Sequence, residues 1–229
     1  MDDLKARSGA LVQRTEMSFD PDTDRRRSVR LPGHDYIGPG GYFITICTDR
    51  RRPLFGEVAA GEMRLSALGA IVREEWLRTP SVRPGVEVGT WAVMPNHIHG
   101  IVVRPGDPAA EAAVRAHSCA PLHRRPRSLA SFVAQFKATA ARRINALRGT
   151  PGALVWQRNY YEHVIRNGPA WMAITAYIEE NPALWPYDRD NLCNTAPQQT
   201  DFRRVLSAHG LTGKELDFIR DYDIKYRRG

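Results

Sequence analysis

"GVEVGTWAVMPNHIHGIVVR", residues Gly85 to Arg104, holds two apolar, β-branched runs joined by Pro95-Asn96. Each run predicts a strand, and so short a link makes the pair an antiparallel hairpin. A strand alternates faces with a period of two, so His97 and His99 share one face and Ile98 takes the other. Two same-face imidazoles on a rigid strand make half of a metal site, because neutral imidazole binds divalent ions through one ring nitrogen. The spacing suits two ordinary polar strand residues equally well, since H-x-H alone is a weak signal. A closed zinc shell would need further Cys, His or carboxylate ligands in a compact pattern, and none is evident nearby.

Outward from the hairpin, "GGYFITICTD" is rich in aromatic and β-branched residues and predicts a buried strand over Tyr42 to Thr48. "SALGAIVREEWLR" (Ser66 to Arg78) recurs in three- and four-residue steps, with Ser66 placed to cap a helix and Pro80 to stop it. "SLASFVAQFKATAARRINALRG" (Ser128 to Gly149) is a second helix. Its stripe is Leu129, Phe132, Val133, Phe136, Ala140, Ile144 and Leu147, with Gly149 as terminator. "ALVWQRNYYEHVIR" (Ala153 to Arg166) is extended with a break near Asn159, and Asn167 to Pro182 is a helix with Pro169 in its first turn. A short helix is expected within Leu206 to Ile224.

The first six elements run strand, helix, strand, strand, helix, strand. That order predicts a ferredoxin-like (RRM-like) α+β sandwich, an antiparallel sheet with that unit's helices on one face. Such a fold hosts many functions and decides none. The expected domains are a polar, basic arm over 1–32, one catalytic domain over 33–187 with a loop insertion at 105–127, and an extension over 188–229.

Lys and Arg number 33 against 25 Asp and Glu, a net charge of +8 in 229 residues. Such an excess suits a polyanionic partner, because each cation that neutralises a phosphate releases a counterion. It also suits plain solubility. The basic positions gather at Arg25, Arg26, Arg27 and Arg30, at Arg124 to Arg127, and along the helix at Lys137, Arg142, Arg143 and Arg148. Three widely spaced cysteines argue against a disulfide framework and fit a reducing cytoplasm. No run of 18 apolar residues is present, so no membrane span is expected.

The last helix adds chemistry. Tyr177 and Asn181 stand four residues apart and share a helix face. Asn181 is a candidate third ligand, or simply a helix stop before Pro182. Tyr177 is a candidate nucleophile, or a packing residue.

Several stretches occur in one order: "RRRSVRLPGHDY", "GGYFITICTDRR", "VMPNHIHGIV", "FKATAARRIN", "VWQRNYYEHVIRN" and "YIEENPALW". Together they resemble the single-tyrosine HUH transposases of the IS200/IS605 type, and most closely the branch associated with repetitive extragenic palindromes (REP). The similarity spans about Arg27 to Trp185. It implies that His97 and His99 are metal ligands, that Asn181 is the third ligand where the mobile members often carry Gln, and that Tyr177 is the nucleophile. It further implies single-stranded DNA with a hairpin as partner, and a bacterial, cytoplasmic, nucleoid-associated setting. The implied reaction is a transesterification that leaves a 5′-phosphotyrosine and a free 3′-OH. A covalent ester keeps the bond energy available for rejoining.

A thinly liganded site of two imidazoles and an amide suits Mg²⁺ or Mn²⁺, with histidine nitrogen favouring Mn²⁺. Lys137 either contacts the scissile phosphate or caps the site. Gln157 either reads a base or packs. The alternative reading is a catalytically silent protein that binds DNA hairpins in a structural or regulatory role. A water-using hydrolase ranks last, because no carboxylate is placed as an evident general base. A monomer suffices if Tyr177 meets its own histidines; a homodimer is required if the helix is exchanged.

Overall fold

The computed structural model describes residues 39–105, 128–188, 190–191, 207–208 and 210. β1 (Gly40–Cys47) is buried from Tyr42 onward on both faces, which explains its unbroken apolar run. β2 (Gly56–Ala59) and β3 (Glu62–Leu65) form a separate hairpin that the sequence reading did not include. Its turn uses positive φ at Ala60 (54°) and Gly61 (77°), the geometry that matches strand twist in two-residue turns.

α1 (Ala67–Leu77) starts at Ser66, whose hydroxyl accepts from the Gly69 amide at 3.1 Å. The short α2 (Thr79–Val82) follows. β4 (Glu87–Met94) and β5 (His97–Arg104) are the expected hairpin, closed where Met94 faces His97 across Pro95-Asn96. α3 (Leu129–Arg148) is capped by Ser128 and ended by left-handed Gly149. Only Tyr161–Ile165 of the expected extended stretch forms a strand, β6, with Trp156 bridging to Thr48 before it.

α4 (Gly168–Leu184) begins at Asn167, whose side chain accepts from the Ala170 amide at 2.8 Å. It runs through Pro182 rather than stopping there. A proline removes one hydrogen bond of the ladder, and so near the end of the helix that loss leaves the last turn standing. Asn181 therefore lies inside the helix, in register with Tyr177.

The four long strands lie in the order β4-β5-β1-β6, all antiparallel. This is the arrangement expected for the βαββαβ unit. Strand alternation then builds two cores. Tyr42, Ile44, Ile46, Ile98 and Val102 pack on Val72 and Trp76 of α1 and on Phe132, Phe136 and Ile144 of α3. Phe43, Ile101 and Tyr161 face the other way, onto Ile174, Tyr177 and Ile178 of α4. So the two helices of the six-element unit share one face, as read, and the seventh element covers the opposite one. Each large apolar side chain buried this way contributes about 1.5–3 kcal/mol.

The expected stripe of α3 fails at its last member. Leu147 is 60% exposed. Asn145 turns inward in the same turn and donates to the Ala153 carbonyl at 2.8 Å, because the neighbour there is a polar loop rather than the sheet. The arm, the insertion and most of the C-terminal extension lie outside the described residues; of the helix expected there, only Ser207 and Ala208, both helical, and the turn residue Gly210 are described.

Candidate functional site

His97 and His99 project from β5 toward α4, and both are buried. In the β1–β5 ladder His99 stands opposite Thr45, and the Thr45 hydroxyl meets His99 Nδ1 at 2.7 Å. The neighbouring ring is held differently. Asn96 donates its Nδ2 to the Arg51 and Asp190 carbonyls, which turns its Oδ1 toward His97 Nδ1 at 2.8 Å. That acceptor places the proton on His97 Nδ1 and leaves the Nε2 lone pair unspent. His97 Nε2 is buried without a hydrogen-bond partner among the described residues.

Burial holds His99 down at a pKa of about 3. Burial also pushes His97 well below its usual value, helped by His99 and Arg51 and opposed by Asn181. Both rings are thus neutral at ordinary pH, the form that binds metal. Their centroids are 4.3 Å apart.

The Tyr177 ring lies 5.6 Å from the His99 ring, tilted by 58°, with Phe43 edge-on to it at 6.2 Å. Asn181 follows one helical turn on and is 1% exposed. Its carboxamide bears on His97 but makes no full hydrogen bond: both polar atoms are buried without such a partner among the described residues. The structure thus brings His97, His99, Tyr177 and Asn181 into one site within a single chain.

One neighbour was missed in the sequence. A carboxylate oxygen of Asp188 lies with the histidine ligand atoms in a group whose members are all within 4.8 Å of one another. Its Oδ1 also accepts from the Asp190 amide at 2.7 Å. Asp190 in turn forms an ion pair with Arg51, takes a weak contact from the Cys47 thiol at 3.8 Å, and stands 4.0 Å from His97 Nδ1. The signal was available in "WPYDRDN": two aspartates directly behind the tyrosine helix.

Two imidazoles, a carboxylate and an unspent amide oxygen are a donor set that fits a hard or borderline divalent ion. Zinc in a closed thiolate shell does not fit, because Cys47 is turned to Asp190.

The expected DNA-contact residues among those described sit on α3 and on the segment before β6. Lys137 directs its ammonium at three carbonyls, of Gln157 (2.8 Å), Arg158 (3.3 Å) and Asn159 (2.8 Å). Burial lowers its pKa to about 8, against a small opposing influence of Cys47. It thereby pins the segment that enters β6. Gln157 is half-buried, and its amide donates to the Cys47 carbonyl at 2.9 Å. Arg142 is exposed on α3, and Arg143 pairs with Glu74 and Glu75 of α1 at 2.6 and 2.7 Å. α3 covers the sheet face opposite Tyr177. Arg25, Arg26, Arg27 and Arg30 fall outside the described residues. No helix among the described residues is long and apolar enough to cross a membrane.

No family model matches the chain. An uncharacterised protein of Haemophilus influenzae is 36% identical over 168 residues, which are 72% of this chain and 92% of that protein. The chain belongs to the same family as that protein. Among solved structures it is similar to a REP-associated tyrosine transposase bound to a REP hairpin. There the TM-score is 0.45 and the identity 21%, covering 67% of this chain and 73% of that one. It is also similar to a candidate transposase from Deinococcus radiodurans R1, with TM-score 0.38 and 17% identity over 66% of this chain and 96% of that one.

Proposed function

We propose that this chain is a transposase-like, metal-dependent DNA endonuclease and strand transferase that uses Tyr177 on single-stranded DNA beside a hairpin. The observation that carries the reading is the placement of the Tyr177 ring 5.6 Å from His99, in a pocket of neutral imidazoles. The buried His97 Nε2, without a hydrogen-bond partner among the described residues, supports the same reading.

In this reading the Tyr177 oxygen attacks the scissile phosphorus. A phosphorus–tyrosine ester forms as the bond from phosphorus to the 3′ oxygen breaks, and that oxygen leaves as a 3′-OH after taking up a proton. Attack by the 3′-OH of a second strand reverses the step and frees the tyrosine. His97 and His99, with Asp188 and Asn181, would hold Mg²⁺ or Mn²⁺. When bound, the ion supplies charge stabilisation to the non-bridging phosphate oxygens. Asn96 fixes the His97 ring so that its Nε2 stays available, and Thr45 holds the His99 ring through Nδ1. Phe43, Tyr161 and Ile178 surround the phenol with apolar surface and limit water around it.

The test is incubation with end-labelled, hairpin-flanked single strands and Mn²⁺, followed by denaturing electrophoresis. A labelled protein band that disappears in Tyr177→Phe is expected. Cleavage without any covalent band would mean water is the nucleophile. Tight binding without cleavage would favour a silent binding protein.

A further inference from the structure

On the face of the sheet away from Tyr177, a cleft of about 240 Å³ opens between α1–α2 and α3. Arg78, Arg83, Arg142 and Arg143 rim it, over a floor that includes Phe132 and Phe136. Both phenylalanines are almost wholly buried, so the floor offers no ring face on which a base could stack. What the cleft offers is guanidinium.

Its positive charge is not balanced from within. Arg78 and Arg143 share one carboxylate oxygen, Glu75 Oε1, at 3.1 and 2.7 Å, while Arg143 also reaches Glu74. Among the described residues, four guanidiniums thus stand against two carboxylates, an excess of two positive charges. Arg142 is exposed and makes no ion pair among the described residues. Arg83 spends its terminal nitrogens on the neutral Gln135 and Ser131 side chains. Its Nε is buried without an acceptor among the described residues. Burial and the nearby Arg104 both act against the charge of Arg83, a cost that a bound anion would offset.

We propose that this cleft binds the phosphodiester backbone of the DNA at a point remote from the cleavage site, with Arg78 and Arg142 as the phosphate contacts and Arg83 and Arg143 as their fixed supports. Guanidinium suits this role, because its planar donor fork matches phosphate oxygens two at a time. A strand held here and at Tyr177 must wrap the edge of the sheet. Register at the reaction centre is then set from both faces. The inference rests on the DNA-processing reading only for its ligand, and can fail or hold separately from Tyr177.

The experiment measures binding of a labelled, hairpin-flanked single strand across a salt series. It compares wild type, an Arg78→Glu/Arg142→Glu variant, and a control of equal charge change, Arg64→Glu/Arg166→Glu, whose residues are exposed outside the cleft. The cleft variant should lose at least about tenfold in affinity and flatten the salt slope by roughly 1.4–1.8, the share of two phosphate contacts on single-stranded or duplex DNA. The control should lose markedly less. Unchanged affinity and slope in the cleft variant would overturn the proposal, and so would an equal loss in the control, which would mark bulk charge. A cleft that takes inorganic phosphate but releases none of it to DNA in competition would overturn it as well. Wild-type protein that forms no covalent band, alongside a cleft variant that still loses affinity, would leave the cleft standing and remove the nucleophile.

Discussion

The Tyr177 ring centroid lies 5.6 Å from that of His99 in the same chain, with the helix and the strand that carry them packed face to face. Tyr177 and the imidazoles thus need no second subunit to meet. Chains of Tyr177→Phe mixed with chains of His97→Ala should therefore form no phosphotyrosine, since neither holds a whole site. Gel analysis of labelled DNA reads this directly. Recovery of adduct in the mixture would show that α4 is exchanged between two chains.

The buried histidines predict a stability that falls in acid. In the folded chain His99 has a pKa of about 3 and His97 lies well below its ordinary value. An unfolded chain protonates them near 6.5. Between those limits the unfolded state binds more protons, so unfolding becomes easier as the pH falls. The contribution is complete above about 6.5 and is progressively lost toward about 3, at roughly 1.4 kcal/mol per pH unit for each titrating ring. Urea midpoints at pH 7 and pH 5 should differ clearly in wild type and less in His99→Gln. An identical drop in the variant would place the acid sensitivity elsewhere.

Gly100 should tolerate no side chain. A Cβ there would meet the Trp76 indole, which is fully buried between α3 and the sheet. The ring cannot retreat without opening the core, and overpacking of this kind costs about 1–3 kcal/mol. Gly100→Ala should lower the melting temperature by about 2–12 °C, on the basis of 2–4 °C per kcal/mol for a domain of this size. Calorimetry decides it. An unchanged melting temperature would mean that the indole has room to shift.

What was legible in the sequence was what is written locally. The bounds of β5, the shared face of His97 and His99, the Ser66 and Ser128 caps and the glycine end of α3 all follow from residues within one turn or one pleat. The apolar stripe of α4 was visible too, but a stripe does not say which sheet face it will cover. The contact of Lys137 with three carbonyls was not legible, because backbone acceptors leave no mark in a side-chain pattern. Asp188 was missed for a related reason. It reaches the histidines only because the chain turns through Trp185–Tyr187 after α4, and that turn is a tertiary event. The expectation that Pro182 ends the helix applied an interior rule to a terminal turn.

Asn181 and Asp188 should respond to mutation with opposite signs. The Asn181 amide is buried with neither polar atom in a hydrogen bond among the described residues, which costs about 1–3 kcal/mol in the metal-free protein. Asn181→Leu keeps the shape and removes that cost, so the metal-free melting temperature should rise. The same change removes the oxygen proposed as a ligand, so Mn²⁺ should then stabilise the variant less than wild type. In wild type, Mn²⁺ at a hundred times its Kd should add about 2.7 kcal/mol. Asp188→Ala relieves no buried group, and it deletes the one carboxylate in the histidine cluster among the described residues. It also takes away the acceptor of the Asp190 amide, so metal-free stability should fall by about 0.5–1.5 kcal/mol while Mn²⁺ binding weakens at least about tenfold. Melting curves with and without Mn²⁺ separate the two effects. A metal shift that survives Asp188→Ala but vanishes in Asn181→Leu would make the amide, rather than the carboxylate, the third ligand.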